Sequence, residues 1–166
     1  RLPELHIHNG EGWGLDHGTW VVLHRMYPNA DIPVIQVSID MSKGERFHYE
    51  TGRALSFLRD EGVLVVGSGN IVHNLGMIRW GDGAEPYSWA TQFDNEVKHH
   101  IEKKEHEALI NYHSMGLSAS MSVPTPDHYW PMLYILGMQR ENENARFFAD
   151  EIVYGSIGMR GFVIGE

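Results

Sequence analysis

The side chains equipped for chemistry in this sequence are imidazoles. Eleven of its 166 residues are His and none is Cys. A disulfide framework, a thiolate metal site, an iron–sulfur cluster and a cysteine nucleophile are therefore excluded together. Imidazole titrates near neutrality and is the commonest metal ligand. Three histidines lie in segments suited to presenting a side chain at a turn. His17 sits in Trp13-Gly14-Leu15-Asp16-His17-Gly18-Thr19-Trp20. There Asp16 either caps the helix that follows or accepts the imidazole N–H, and the tryptophans supply aromatic walls. His73 ends Gly67-Ser68-Gly69-Asn70-Ile71-Val72-His73-Asn74, where two glycines let the backbone turn sharply. His128 follows Pro124-Thr125-Pro126-Asp127. At a helix start the dipole opposes a proton, and neutral imidazole is the form that binds a metal. Each segment also has a plain reading: a capped turn, a strand-to-helix turn, and packing at a helix start.

The other histidines carry weaker signals. His6 and His8 alternate on one face of a candidate strand, a spacing that grips a metal but more often marks a solvated edge. His99, His100, His106 and His113 lie among Lys and Glu on outer helix faces, where surface roles are expected for most of them, and His24 and His48 suit helix-face packing. No HExxH, Gly-x-Ser-x-Gly or EF-hand loop occurs, so serine-nucleophile chemistry has no support, and a plain zinc hydrolase lacks its general-base carboxylate signature.

The elements that must position these residues follow from hydrophobic pattern. Residues 19–27 read as a short helix stopped by Pro28. Residues 32–39 and 63–66 are continuous β-branched apolar runs that predict buried strands, and residues 43–59, with Phe47, Ala54, Leu55 and Leu58 as its stripe, predict the helix between them. Two apolar strands joined by an amphipathic helix predict a parallel βαβ unit, hence an α/β fold with a mixed, largely parallel sheet flanked by helices in a single domain over residues 1–166. In such sheets ligands bind at loops beyond the strand ends, which is where His73 falls. Residues 88–103 predict a helix on Trp89, Phe93, Val97 and Ile101, and residues 105–112 a short one. Thr125-Pro126 is a helix start, with Pro131 either kinking that helix or delaying its regular part. The tail over 151–164 reads as β with glycine interruptions.

Composition sets the outer bounds. The 13 basic residues against 22 acidic give a net charge of −9. That balance argues against nucleic-acid and anionic-membrane partners, both of which need clustered positive charge. No 18-residue apolar run occurs, and Arg1-Leu2-Pro3-Glu4 has no signal-peptide character, so a cytoplasmic chain is expected.

Taken in order, the motifs are more specific than any one of them. The run from Gly14 to Trp20, Tyr27-Pro28-Asn29-Ala30-Asp31-Ile32-Pro33-Val34, Gly52-Arg53, Leu58-Arg59-Asp60-Glu61-Gly62-Val63, the segment from Gly67 to Leu75, and Pro124-Thr125-Pro126-Asp127-His128-Tyr129 together resemble the class III extradiol ring-cleavage dioxygenases of the DOPA 4,5-dioxygenase (LigB-type) family. The likeness runs from about Gly12 to the C-terminus. It implies opening of a catechol such as DOPA beside its two hydroxyls, with O2 and non-haem Fe(II); Zn(II) suits the same imidazoles. On that pattern His128 matches a metal ligand. His73 matches a further ligand or the acid/base, and His17 a substrate- or oxygen-facing pocket histidine. Asp16 and Asn74 stand behind them as supporting partners. The family's Gly-His-Gly strand and its Ser-Ala-His-Trp strand end, both sources of metal ligands, have no counterpart here. Gly76 stands where an Arg often follows His-Asn-Leu, and Gly158 is a further difference. The resemblance therefore implies the C-terminal portion of the family's domain, short of two ligand histidines and weakly active or inactive alone. A missing N-terminal segment or a homo-oligomer is the expected partner. The alternative is a non-catalytic module that binds small aromatics or assembles with itself.

Overall fold

The computed structural model describes residues 12, 14–81 and 83–165; His6, His8 and Trp13 lie outside them. Six α-helices in the described residues carry most of the architecture: α1 (His17–Met26), α2 (Glu45–Leu55), α3 (Ser88–Glu102), α4 (His106–Ile110), α5 (Leu117–Ser122) and α6 (Trp130–Gly137). Two short antiparallel ladders follow, β1 (Ala145–Phe148) with β4 (Gly161–Ile164) and β2 (Ile152–Val153) with β3 (Ile157–Gly158). None of the described helices is long and apolar enough to cross a membrane.

The core follows from the helix stripes. Phe93, Val97 and Ile101 of α3 are fully buried, as their four-residue spacing predicts, with Trp89 packed at the margin. They meet Leu109 and Ile110 of α4, Ala119 of α5 and Leu133 and Leu136 of α6. Tyr112 and Tyr129 lie among them with ring centroids 4.4 Å apart, and the Tyr129 hydroxyl donates to the Leu109 carbonyl at 3.0 Å. Burial pushes the Tyr112 phenol up to about 12. At one margin Arg160 donates to Asp94 through Nε and Nη2, an ion pair almost wholly removed from water.

Helix α2 meets α6 where glycines let two backbones touch. A Cβ on Gly52 would fall on the Tyr134 carbonyl oxygen, and one on Gly137 on that of Tyr49. The buried face of α2 is therefore His48, Thr51, Gly52 and Ala54; of the expected stripe Ala54 is buried, while Phe47, Leu55 and Leu58 are only half-buried. Pro131 occupies the first turn of α6, and Pro126 opens a separate 3₁₀ turn, Pro126–His128. The regular part of the helix thus begins after the Pro126 signal, the second of the two alternatives.

The largely parallel sheet expected from residues 32–39 and 63–66 does not form. Among the described residues neither run belongs to a ladder, and both ladders present are antiparallel. Ile35 is 90% exposed and Leu64 59%. The physical reason is that a strand is a paired element. A β-branched apolar run has the propensity, but its backbone N–H and C=O groups need a partner beside them. The architecture is mixed, with helices around small antiparallel sheets.

Candidate functional site

The site is assembled by close approach of two backbones. The glycine turn at Gly67 and Gly69 packs directly on residues 128–131. A Cβ on Gly67 would stand 2.6 Å from the Pro131 carbonyl oxygen, and one on Gly69 would fall on that of His128. Asn70 N–H then donates to the His128 carbonyl at 3.0 Å. Residues 70–74 are fastened on two further sides. His73 N–H donates to Ser122 O at 2.8 Å and Asn74 N–H to Ser156 O at 3.1 Å, while His73 forms an antiparallel bridge with Ile157. The Asn74 amide donates to Met121 O at 2.7 Å, and the Ser156 hydroxyl donates to Asn74 O at 2.8 Å. His73 is thus held by main chain on both sides.

The outcome is a pair of imidazoles. The His73 and His128 rings stack with centroids 3.5 Å apart and planes 12° from parallel. Both are half-buried. Burial, with the His128 ring beside it, holds the His73 imidazole below its ordinary value, and the Asp127 carboxylate opposes that. The Asp127 carboxyl is itself held low, chiefly by a hydrogen bond from the Thr125 side chain.

The His128 ring is oriented by Asn70. Asn70 Oδ1 lies 3.2 Å from His128 Nδ1, and Asn70 Nδ2 donates to the Gly158 carbonyl at 2.7 Å. A carbonyl only accepts, so Nδ2 must face Gly158 and Oδ1 must face the ring. The neutral His128 therefore carries its proton on Nδ1 and leaves Nε2 a bare lone pair. Asp127 Oδ2 is 3.7 Å from Nε2, beyond hydrogen-bond reach.

His17 opens α1 and is exposed. Its helix is tied to the glycine turn, since the Ser68 hydroxyl donates to Gly18 O at 2.8 Å. Asp16 takes the capping role of its two readings, its Oδ1 accepting from Thr19 N–H at 3.0 Å. Gln36 Oε1 accepts from Asp16 N–H and from the Thr19 hydroxyl, each at 2.9 Å. The structure thus brings His73 and His128 into contact and tethers the start of α1 to their loop. Asn74 is buried with its amide on main chain, and the residue bonded to the His128 ring is Asn70. Sequence reasoning named Asn74 and missed Asn70, whose place three residues before His73, just past the glycine turn, is the signal that could have found it.

Among the described residues no group of three or more His, Asp or Glu side chains is placed to hold a metal ion. His128 Nε2 fits a metal donor in kind. Rings stacked 3.5 Å apart send their lone pairs along parallel planes, so an ion at the usual ~2.0–2.1 Å from one nitrogen sits roughly 4 Å from the other ring. As stacked, the pair offers one ion a single imidazole and keeps the second beside it.

Comparison with known proteins settles the lineage. Residues 4–164 match the model of the catalytic LigB subunit of aromatic ring-opening dioxygenase. The chain belongs to the LigB family of extradiol dioxygenases. An Escherichia coli K12 protein named 4,5-DOPA dioxygenase extradiol is 46% identical over 160 residues, covering 93% of this chain and 58% of that protein. A Beta vulgaris protein of the same name is 38% identical over 133 residues, covering 80% of this chain and 49% of the relative. The crystal structure of an uncharacterized Escherichia coli K12 protein superposes with a TM-score of 0.85 at 43% identity, over 93% of this chain and 64% of that one. The chain therefore spans about half to three-fifths of the length of these curated LigB-family relatives.

Proposed function

We propose that this chain carries part of the site of an extradiol dioxygenase that opens a catechol, DOPA being the substrate class suggested by its relatives' names. The observation that carries the reading is the apposed pair of imidazoles, His73 and His128, held at 3.5 Å by the packed glycine turn. In such a reaction one ring carbon–carbon bond beside the two hydroxyls breaks, and both atoms of O2 enter the product. Fe(II) would be held in part by His128 Nε2, with Zn(II) able to take the same place, and would bring catechol and O2 together for electron transfer.

The protein's own part in the reaction is to bind and to move a proton. His73, kept below its ordinary pKa by burial, is neutral at pH 7 and suited to take a phenolic proton and return it to the product. Its stacking on His128 supports that role over service as a second ligand, since the two rings do not share an ion as placed. His17, exposed at the start of the tethered helix, suits contact with substrate or O2.

The test is catechol binding by calorimetry in the presence of zinc, comparing the chain with His128→Ala. Binding that disappears with His128 is expected; no binding, or binding indifferent to His128, overturns the reading. With Fe(II), O2 and DOPA the chain alone is expected to yield little of the yellow muconate-semialdehyde product. Rapid turnover would overturn that expectation.

A specific observation favours a second reading, a self-assembling module. Ile35, Val37, Leu64, Trp20 and Val21 are all large, apolar and exposed. Size-exclusion chromatography with metal analysis separates the two: a metal-free oligomer supports assembly, and a monomer with stoichiometric iron or zinc supports the dioxygenase site.

A further inference from the structure

We propose that Asn70 is a positioning residue that fixes the tautomer of His128, keeping its proton on Nδ1 so that Nε2 faces the site as a lone pair. The inference deepens the dioxygenase reading and rests on His128 being a working side chain of that site. Three contacts carry it. Asn70 N–H donates to the His128 carbonyl at 3.0 Å, which fixes the two residues relative to each other. Asn70 Oδ1 faces His128 Nδ1 at 3.2 Å. Asn70 Nδ2 donates to Gly158 O at 2.7 Å, so turning the amide over would set two carbonyl oxygens against each other.

A competitor makes the device necessary. Asp127 Oδ2 stands 3.7 Å from Nε2, and a carboxylate on that side draws the ring proton toward Nε2, where it would occupy the lone pair that a metal or substrate proton needs. Asn70 opposes this from the other edge of the ring. An isolated imidazole has no such guard, and the same protein-imposed choice of tautomer tunes ligating histidines generally.

Long-range 15N NMR of the imidazoles of the metal-free chain reads this directly. It is done at one pH above the histidine titration range, with the His128 signals assigned by their loss in His128→Gln. The expected spectrum shows the Nδ1–H form dominant. Asn70→Ala should shift the tautomer ratio toward Nε2–H about fivefold to tenfold, a net hydrogen bond's worth. Asn70→Asp, which keeps an acceptor for Nδ1 but loses the donor to Gly158, should hold the Nδ1–H form even if the fold is weakened. Zinc chloride binding by equilibrium dialysis should weaken about 10- to 100-fold in Asn70→Ala and recover substantially in Asn70→Asp. A wild-type spectrum dominated by Nε2–H overturns the proposal, as does a ratio unmoved in Asn70→Ala or a tautomer lost equally in Asn70→Asp. If Asn70→Ala does not fold, the wild-type and Asn70→Asp spectra still decide. The tautomer as expected with no zinc bound by the wild type would instead count against the metal part of the functional reading and leave Asn70's role standing.

Discussion

At the scale of single residues, the pairing of His73 with His128 depends on an atom that is absent. Gly69 has no Cβ, and the space one would take is filled by the His128 carbonyl oxygen, which accepts from Asn70 N–H at 3.0 Å. Gly69→Ala must push the turn away from residues 128–131 or break that hydrogen bond. Overpacking commonly costs about 1–3 kcal/mol; against main chain the loss should be at least that, and here it separates the two imidazoles as well. Chemical denaturation should show that loss, with His128-dependent zinc binding weakened alongside. Gly76→Ala is the control, because its Cβ would lie 3.4 Å from Asn74 Oδ1, an ordinary approach; a shift within about 0.5 kcal/mol is expected. Equal losses in the two variants would show that close packing of the turn is not what holds the pair. The same scale divides the histidines. His48 is fully buried, with Nδ1 2.9 Å from the Tyr134 hydroxyl, the packing role its helix position predicts. His106, expected on the surface, is half-buried between the Tyr49 hydroxyl at 3.0 Å and Gln139 Oε1 at 2.8 Å.

At the scale of elements, the helices hold one another through backbone contact, and the α2–α6 crossing is the tightest case. A methyl on Gly52 would fall on Tyr134 O, and Gly137 meets Tyr49 O from the other side. Gly52→Ala should cost more than the ~1–3 kcal/mol of ordinary overpacking, because main chain, unlike a side chain, has no other rotamer to adopt. A denaturant midpoint that barely moved in Gly52→Ala would mean that the helices separate freely. These helices were largely legible in the sequence, since an amphipathic stripe contains its own evidence: α3 falls within a residue of its expected span and buries Phe93, Val97 and Ile101. The strands were not. Residues 32–39 and 63–66 have strand composition, yet pairing is a property of two segments, and a run read alone does not contain its neighbour. Only the small antiparallel ladders near the C-terminus form among the described residues. The site was legible in part for the same reason: the histidines could be picked out by their turns, whereas their stacking, and Asn70's bond to His128, exist only once two distant segments pack.

At the scale of the whole molecule, shielded histidines and paired carboxyls make stability depend on pH in two steps. Burial is the main cause that holds His48, His73 and His106 below their ordinary values. Asp40 and Glu45 oppose it at His48, Asp127 at His73, and the Gln139 bond and Glu107 at His106, while Lys104 adds to it at His106. In each the unfolded chain, with an imidazole near about 6.5, takes up a proton before the folded chain does. Stability rises with pH wherever the unfolded state binds more protons. It should therefore be level above about pH 7.5 and fall as the pH drops through the unfolded value of about 6.5 toward the lower folded values. The depressed carboxyls act later. Glu143, hydrogen-bonded by Arg59, and Asp127, hydrogen-bonded by Thr125, contribute stability that persists above the unfolded carboxyl values near 4 and is lost as the pH falls through their folded ones. Urea midpoints measured from pH 8 to about pH 2 should thus show a first decline beginning near neutrality and a second, steeper one below about pH 4. His48→Gln removes one of the three buried imidazoles, so it should flatten the first decline and leave the second in place. A curve level down to pH 5, or a first decline unchanged in His48→Gln, would show that the buried imidazoles do not set the neutral limb.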